Sequence, residues 1–179
     1  NNSNNRPAGE RGANPLQWAY AVSPSTDIRD MQNYWMPGLE GLQQRSQDAD
    51  RPTHEINNPY FIAYEINNAF VRDRVFGNVK ADWQISPDFS FMARYSLDNL
   101  SEQRETKMAK SYTSDANGGY GIMNISSFEN NADFLLTYKK KIKDVSFSVS
   151  GGGNHRFQKG FNTSTASVNG IITPGVYTL

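Results

Sequence analysis

The feature that most constrains this chain is a strict alternation of apolar and polar residues over two neighbouring stretches. Between Val75 and Ile85 the odd positions are apolar or Gly, and the even positions are polar except Phe76. Residues 86–88, Ser-Pro-Asp, interrupt the pattern, which then resumes over residues 89–98 with Met92 as its exception. Because successive side chains of an extended strand point to opposite sides, each stretch predicts a β-strand with one apolar and one polar face.

The interruption predicts a hairpin in which Ile85 pairs with Phe89, so that the apolar side chains of both strands share one face. The further apolar pairs of this register are Trp83–Phe91, Ala81–Ala93 and Val79–Tyr95. The opposite face carries full charges, which need water or a polar interior around them. These charges belong to Arg74, Lys80, Asp82, Arg94 and Asp98.

The same alternation recurs downstream and predicts a second hairpin. Its first strand carries Phe128, Ala132, Phe134, Leu136 and Tyr138 on one side, with Glu129 and Asp133 on the other. Val145, Phe147 and Val149 then alternate with serines. The basic segment between them, residues 139–144, is predicted as a turn that pairs Tyr138 with Val145.

The order of these segments predicts an all-β fold, an antiparallel meander of about four long strands. Residues 1–68 form a loop region with short helices, one of them over Pro15–Val22 with Asn14 as its cap. The hairpins occupy residues 69–107 and 128–158, and loops occupy residues 108–127 and 159–179. Both short turns then lie at one edge of the sheet and the long loops at the other. Outer-membrane β-barrels are built this way, with short periplasmic turns and long extracellular loops.

The amino-acid composition argues against several classes of function. The 18 basic and 18 acidic residues balance, so nothing in the charge favours a nucleic-acid partner. Cysteine is absent, which excludes disulfides and thiolate metal sites. His54 and His155 are far apart in sequence and predict no metal site, and no triad or paired-carboxylate signature is present. We therefore expect a protein that is not an enzyme, with no catalytic residue, metal or cofactor.

Four segments resemble the SusC/RagA branch of the TonB-dependent outer-membrane transporters. They are Asn58-Pro59-Tyr60 followed by Arg72–Val79 (NPY…RDRVxGN), Asn131–Leu136 (xxDFLL), Gly151–Gln158 (GGNxR) and Gly170–Tyr177 (GLxVPGLYxL). Their order and spacing match over residues 14–179.

The resemblance implies a large barrel with an N-terminal plug in the bacterial outer membrane. Such a protein contacts membrane lipid, is energised by TonB, imports glycans or peptides and partners a SusD-like surface lipoprotein. This sequence shows no plug, no TonB-contacting segment and no terminal strand ending in an aromatic residue. We therefore expect a mid-barrel fragment of about four strands, with TonB acting through the absent plug region.

Two sets of candidate site residues follow. The polar strand face is predicted to line the lumen through Arg74, Asn78, Lys80, Asp82, Arg94, Asp98, Glu129 and Asp133. Loop aromatics are predicted to contact substrate or partner, or else to pack the loops: Trp18, Tyr34, Trp35, Tyr112 and Tyr120. Near the short turns, Trp83, Phe89 and Tyr138 are predicted to form an aromatic girdle at the membrane interface.

Two other readings stay open on sequence alone. A soluble, secreted β-sandwich that binds carbohydrate would bury the same apolar faces against a second sheet. An envelope enzyme such as a glycoside hydrolase would need two carboxylates facing each other across a cleft.

Overall fold

The computed structural model describes the backbone of residues 3–4 and all of residues 14–45 and 56–179. The rest of the predicted loop region 1–68, including His54, lies outside the described residues. The elements in chain order are β1 (Ser3–Asn4), α1 (Pro15–Ala21), a 3₁₀ helix (Ile28–Gln32), α2 (Pro59–Glu65), β2 (Ile66–Gln84), β3 (Phe89–Met108), β4 (Gly119–Ile142) and β5 (Val145–Ala166).

The strands form one sheet in the order β1-β2-β3-β4-β5, which confirms the predicted antiparallel meander. β2 to β5 contain 19, 20, 24 and 22 residues, whereas strands of globular proteins usually have about 5–6. The short β1 pairs with the start of β2, with Ser3 opposite Phe70. The sheet is open, since β1 and β5 lie at its two ends.

The first hairpin has the predicted register. The Ile85 amide donates to the Phe89 carbonyl at 3.0 Å, and the Phe89 amide donates to the Ser86 carbonyl at 3.2 Å. Continuing this register places Arg72 opposite Glu102, and these side chains form an ion pair. The Ser-Pro-Asp interruption is therefore the centre of the turn.

The predicted register of the second hairpin is wrong by four residues. β4 continues through the lysines to Ile142, so the turn before Val145 contains only Lys143 and Asp144. Thr137 then faces Ser150, and their hydroxyl oxygens lie 2.9 Å apart. Because the shift is an even number of residues, the apolar sides of β4 and β5 still coincide.

Three strand limits also differ from the predicted ones by more than one residue, and the first is the start of β2, at Ile66 rather than at residue 69. β4 begins at Gly119, within the predicted loop 108–127, and β5 continues to Ala166 rather than ending at residue 158. The predicted period-2 pattern stops before these outer strand ends, which is why the sequence assigned them to loops.

The chain divides into two compact units, and the first lies within residues 1–71, 103–124 and 163–179. It contains the helices and a small core of Phe61, Ile62, Ile66, Ala109 and Tyr112. Partly buried side chains pack against this core: Trp18, Tyr34, Trp35 and Met108.

Helix α1 is confirmed at the predicted place, with the Asn14 side chain accepting the Leu16 amide at 3.0 Å. Helix α2 was not predicted. Its cap is Asn58, whose side chain accepts the Tyr60 amide at 2.9 Å, and Pro59 occupies the first helical position. Asn and Pro at these positions are favourable because they satisfy or remove amides that lack helical partners.

A buried polar network joins three segments of the first unit. Gln44, Asn57 and Asn58 are fully buried. Gln44 Nε2 donates to Asn57 Oδ1 at 2.9 Å, and the Asn58 amide donates to Gln44 Oε1 at 2.8 Å. Asn57 Nδ2 donates to Thr113 Oγ1 at 2.7 Å. Buried polar groups need such partners, so this network fixes the segments before α2 and after β3.

The second unit comprises residues 72–102 and 125–162, which are parts of β2 to β5. Its two sheet faces carry the candidate site.

Candidate functional site

The polar face is the side of the second unit on which the charged residues of the alternation lie, and these charges are arranged in pairs. Five ion pairs lie there: Arg72–Glu102, Arg74–Asp98 (2.6 Å), Lys80–Asp82 (3.0 Å), Arg94–Asp133 (3.0 Å) and Arg156–Glu129 (2.9 Å). Each charged residue predicted to line a lumen belongs to one of these pairs. Asn78 lies exposed on β2 among them.

Sequence reasoning did not single out three members of these pairs, Arg72, Glu102 and Arg156. Asn131 and Asn154 are likewise outside the predicted lumen-lining set, and Asn154 Nδ2 donates to Asn131 Oδ1 at 2.7 Å. All five positions share the parity of the predicted polar residues on their own strands. All five lie within the predicted hairpins 69–107 and 128–158, so the same alternation followed along each whole hairpin includes them.

Four of the five pairs connect neighbouring strands, whereas Lys80–Asp82 lies within β2; Glu102 is the one buried carboxylate among these pairs. Arg74 joins β2 to β3, Arg94 joins β3 to β4, and Arg156 joins β4 to β5. The arginine side chains are 49–57% exposed. In the Arg74–Asp98, Lys80–Asp82 and Arg156–Glu129 pairs both side chains are at least 35% exposed, so water screens them and each contributes only about 0–1 kcal/mol to stability. Exposed ion pairs of this kind are typical of a surface in contact with water rather than of a closed protein core.

One group on the polar face combines an ion pair with an aromatic ring. Arg74 donates from Nε to Asp98 Oδ1 at 2.9 Å and from Nη2 to Asp98 Oδ2 at 2.6 Å. The guanidinium carbon of Arg74 also lies 5.3 Å from the centre of the Phe76 ring. Phe76, the exception in the polar set, is 73% exposed.

The apolar face is the opposite side of the second unit, formed by the apolar residues of the alternation. Its side chains are exposed, with Val79 at 74% and Trp83 at 64%. Aromatic contacts run across it: the ring centres of Phe89 and Tyr138 are 4.6 Å apart, and those of Phe91 and Phe134 are 6.4 Å apart. A continuous exposed apolar surface of this kind marks contact with a membrane or another protein.

A shallow groove of about 610 Å³ interrupts the apolar face. Small residues from all four strands lie along it: Ala81, Ala93, Ala132 and Gly153. The larger side chains of Val79, Tyr95 and Phe134 also line it. The groove follows from the register, which brings Ala81 opposite Ala93.

The predicted loop aromatics lie in the first unit, and most of them contribute to its packing. Tyr112 is only 4% exposed. Trp35 packs edge-on against Phe61 with ring centres 5.4 Å apart, and Trp18 also packs on the core. The Tyr34 hydroxyl donates to Glu65 Oε1 at 2.9 Å. These contacts agree with the packing alternative.

Two further tyrosines, Tyr60 and Tyr64, lie near Tyr34. Tyr64 stacks on Tyr34 with ring centres 5.9 Å apart, and Tyr60 stacks on Tyr64 at 6.4 Å. Tyr60 and Tyr64 are four residues apart on α2, a spacing that places them on one side of the helix. Because α2 was not predicted, their shared side could not be predicted either.

Burial and hydrogen bonding perturb several groups of the first unit. Burial, reinforced by the hydrogen bond to Glu65, raises the pKa of Tyr34 to about 12. The hydrogen bond from Lys107, followed by that from the Tyr120 hydroxyl, lowers the pKa of the Glu105 carboxyl. The same bond to Glu105 raises the pKa of Tyr120. Tyr120 thus belongs to a hydrogen-bonded cluster rather than standing alone.

Within residues 14–45 and 56–179, no group of three or more His, Asp or Glu side chains has the arrangement of a metal site. In the same part of the chain, no helix has the length and apolar character needed to cross a lipid bilayer. Comparison with known proteins gives no match: no protein family matches the chain, and no curated protein matches its sequence.

Proposed function

We propose that this chain forms part of the barrel wall of a TonB-dependent outer-membrane importer for glycans or peptides. The observation that carries the proposal is the contrast between the two faces of the same strands. One face of the second unit exposes apolar side chains, and the other exposes paired charges. In a barrel wall the apolar face contacts lipid and the polar face borders a water-filled lumen.

The length of the apolar segments supports a membrane setting. The apolar positions of β2 extend from Val75 to Val79, Ala81 and Trp83, with Ile85 just beyond the strand end. A barrel strand crosses a bilayer with about 9–11 residues when tilted by about 45°. The run 75–85 meets this requirement.

The turn ends of the strands support an interfacial position. Phe89 and Tyr138 contact each other close to the first turn, and Trp83 is exposed beside them. Lys140 forms an ion pair with Asp88 of that turn. Amphipathic aromatic rings beside charged turns are typical of the membrane–water interface.

The family resemblance supplies the rest of the proposal. It supports the bacterial outer membrane as the location, a SusD-like lipoprotein as the surface partner, and energisation by TonB through a plug. Transport of this kind breaks no covalent bond, so no catalytic group is assigned.

The soluble carbohydrate-binding sandwich requires a second sheet packed on the apolar face. The described residues form one sheet, and its apolar face in the second unit is exposed. This observation favours the barrel wall over the sandwich.

A spin-label scan of residues 75–85 tests the proposal in the full-length protein reconstituted in lipid vesicles. We expect odd positions to be accessible to oxygen dissolved in the lipid and even positions to a water-soluble nickel chelate. Accessibility without a two-residue period would contradict the barrel wall. Odd positions shielded from both reagents would favour the sandwich.

A further inference from the structure

We infer that Phe76, Arg74 and Asp98 form a binding site for a neutral sugar ring on the polar face. The inference rests on the proposed function, because it requires the polar face to border the path of a solute. It goes further by naming the residues and the chemical class that they take.

Phe76 contacts the Arg74 guanidinium but remains largely exposed. The other even positions of β2 from Arg72 to Gln84 are polar, whereas Phe76 exposes 73% of its surface on the same face. A phenyl ring that stays exposed to water in the folded protein contributes little to the stability of the fold. Such an exposed ring on a wetted face is the surface that a ligand with its own apolar patch would cover.

The neighbouring groups hold the ring and its surroundings in place. Arg74 is fixed by two hydrogen bonds to Asp98, at 2.9 and 2.6 Å, and its guanidinium carbon lies 5.3 Å from the centre of the Phe76 ring. A two-bond Arg–carboxylate contact is directional and restricts the guanidinium plane. The three side chains therefore present a preformed surface.

A sugar ring matches this surface in its chemistry. One side of a pyranose ring is lined by C–H groups that stack on an aromatic face, and its edge carries hydroxyls that both donate and accept. Arg74 offers N–H donors beyond those bound to Asp98, and each carboxylate oxygen of Asp98 has a further lone pair. The side chains of Arg74 and Asp98 remain 54% and 39% exposed, so both are accessible to a ligand.

The pairing of charge favours a neutral ligand over a charged peptide. The Arg74–Asp98 pair carries no net charge, and the other four ion pairs of the polar face add none. Lys139 and Lys141 share the polar positions of β4 but lie at its turn end, whereas Arg74 lies in the middle of β2, away from the turn. A charged ligand would leave its own charge uncompensated or would have to break a pair.

Calorimetric titration of the full-length protein in detergent tests the site, with neutral glucan, xylan and fructan oligosaccharides as probes. We expect at least one to bind with a Kd that is unchanged between low and high salt, since no ionic contact forms. Phe76→Leu, which keeps an apolar side chain but removes the aromatic face, should weaken this binding about three- to tenfold. Phe76→Tyr should stay within about twofold.

Phe161→Leu is the matched control, because Phe161 is 61% exposed on β5 but shares the odd positions of the apolar residues. It should leave the Kd unchanged. A Kd of Phe76→Leu equal to that of the wild-type protein would overturn the inference. Binding that is confined to charged peptides and weakens with salt would also overturn it. So would the absence of binding by every neutral probe. If the spin-label scan still gives a two-residue period, only the sugar site fails; if that period is lost, the barrel wall fails as well.

Discussion

Two Asn-Pro dipeptides begin the two α-helices, and they differ in what each asparagine holds. Asn14 is half-buried and accepts one amide. Asn58 is fully buried, accepts the amides of Tyr60 and Phe61, and donates to the Met31 carbonyl at 3.1 Å. The same local signal thus caps one helix at the surface and joins α2 to the network of the first unit.

Replacing Asn58 should therefore cost far more than replacing Asn14. Asn58→Ala removes the cap and leaves buried carbonyl and amide groups unpaired, which should lower the opening free energy of α2 by about 2–4 kcal/mol. Asn14→Ala should lower that of α1 by about 0.5–1 kcal/mol. Hydrogen exchange of the Tyr60, Phe61 and Leu16 amides measures both. Equal losses at the two helices would contradict the buried role of Asn58.

Because of Tyr34, the stability of the first unit depends on pH in the alkaline range. Burial and the bond to Glu65 raise its pKa from 10.0 to about 12 in the folded protein. The unfolded chain releases this proton at lower pH than the folded protein does. The contribution to stability is therefore complete below pH 10.0 and is lost as the pH rises towards 12.

We expect the free energy of unfolding to fall over this alkaline range, and the fall to be smaller in Tyr34→Phe, which has no proton to lose. Urea unfolding followed between neutral pH and pH 12 measures it. Tyr20, which is 89% exposed, provides the control variant Tyr20→Phe, which should leave the pH dependence as it is. An identical alkaline loss in Tyr34→Phe would show that other groups cause it.

At the scale of elements, the sequence predicts a hairpin well where a strong turn signal marks its centre. Ser86-Pro87-Asp88 fixes the first register because proline cannot continue a paired strand and Asp and Ser favour turns. In the second hairpin the sequence predicts the turn at the lysine run because that run is polar. The structure continues β4 through Lys139 to Lys141, since a charged residue at a strand end is tolerated where it meets water or a partner such as Asp88.

Other parts of the site could not be predicted from the alternation. The outer ends of β3 and β4, in the first unit, lose the two-residue period, so Gly119 was assigned to a loop. Gly152 sits so close to the Phe134 carbonyl that a side chain there would collide with it. The partner of Gly152 depends on the register of the second hairpin, and the predicted register differs from the observed one by four residues.

Cross-linking can distinguish the two registers of the second hairpin. The chain contains no cysteine, so an introduced pair has no competitors. Facing residues of an antiparallel pair have Cβ atoms about 4.5–5.5 Å apart, close to the separation in a disulfide. Thr137→Cys with Ser150→Cys should therefore form a disulfide on mild oxidation.

The control pair, Tyr138→Cys with Val145→Cys, should remain reduced. In the observed register Tyr138 lies opposite Val149, which places Val145 about 13 Å away along β5. Non-reducing gel migration and thiol titration report both outcomes. Oxidation of the control pair in preference to the first would restore the six-residue turn.

At the scale of the whole molecule, the protein combines one small core with a long sheet that exposes an apolar face. The buried residues of the described chain belong to the first unit, apart from Glu102 in the second. The second unit lacks an apolar interior among those residues and depends on strand pairing, on the ion pairs of its polar face and on whatever covers its apolar face. In the proposed barrel, lipid covers this face. The stability of the folded protein therefore depends on its insertion into the membrane.

Two neighbouring arginine substitutions in the full-length protein test this link. Val79 lies near the middle of the apolar run 75–85, and Asn78 lies next to it on the polar face. Val79→Arg should destabilise the folded state in lipid vesicles by about 2–4 kcal/mol, because it places a cation in hydrocarbon. Asn78→Arg should change it by less than about 1 kcal/mol, because the cation there meets water and the carboxylates of the ion pairs.

Urea unfolding in vesicles, read from the heat-dependent gel mobility of the folded protein, compares the two. Equal effects would remove the distinction between the faces, and a wild-type protein that folds fully without lipid or detergent would show that protein covers the apolar face.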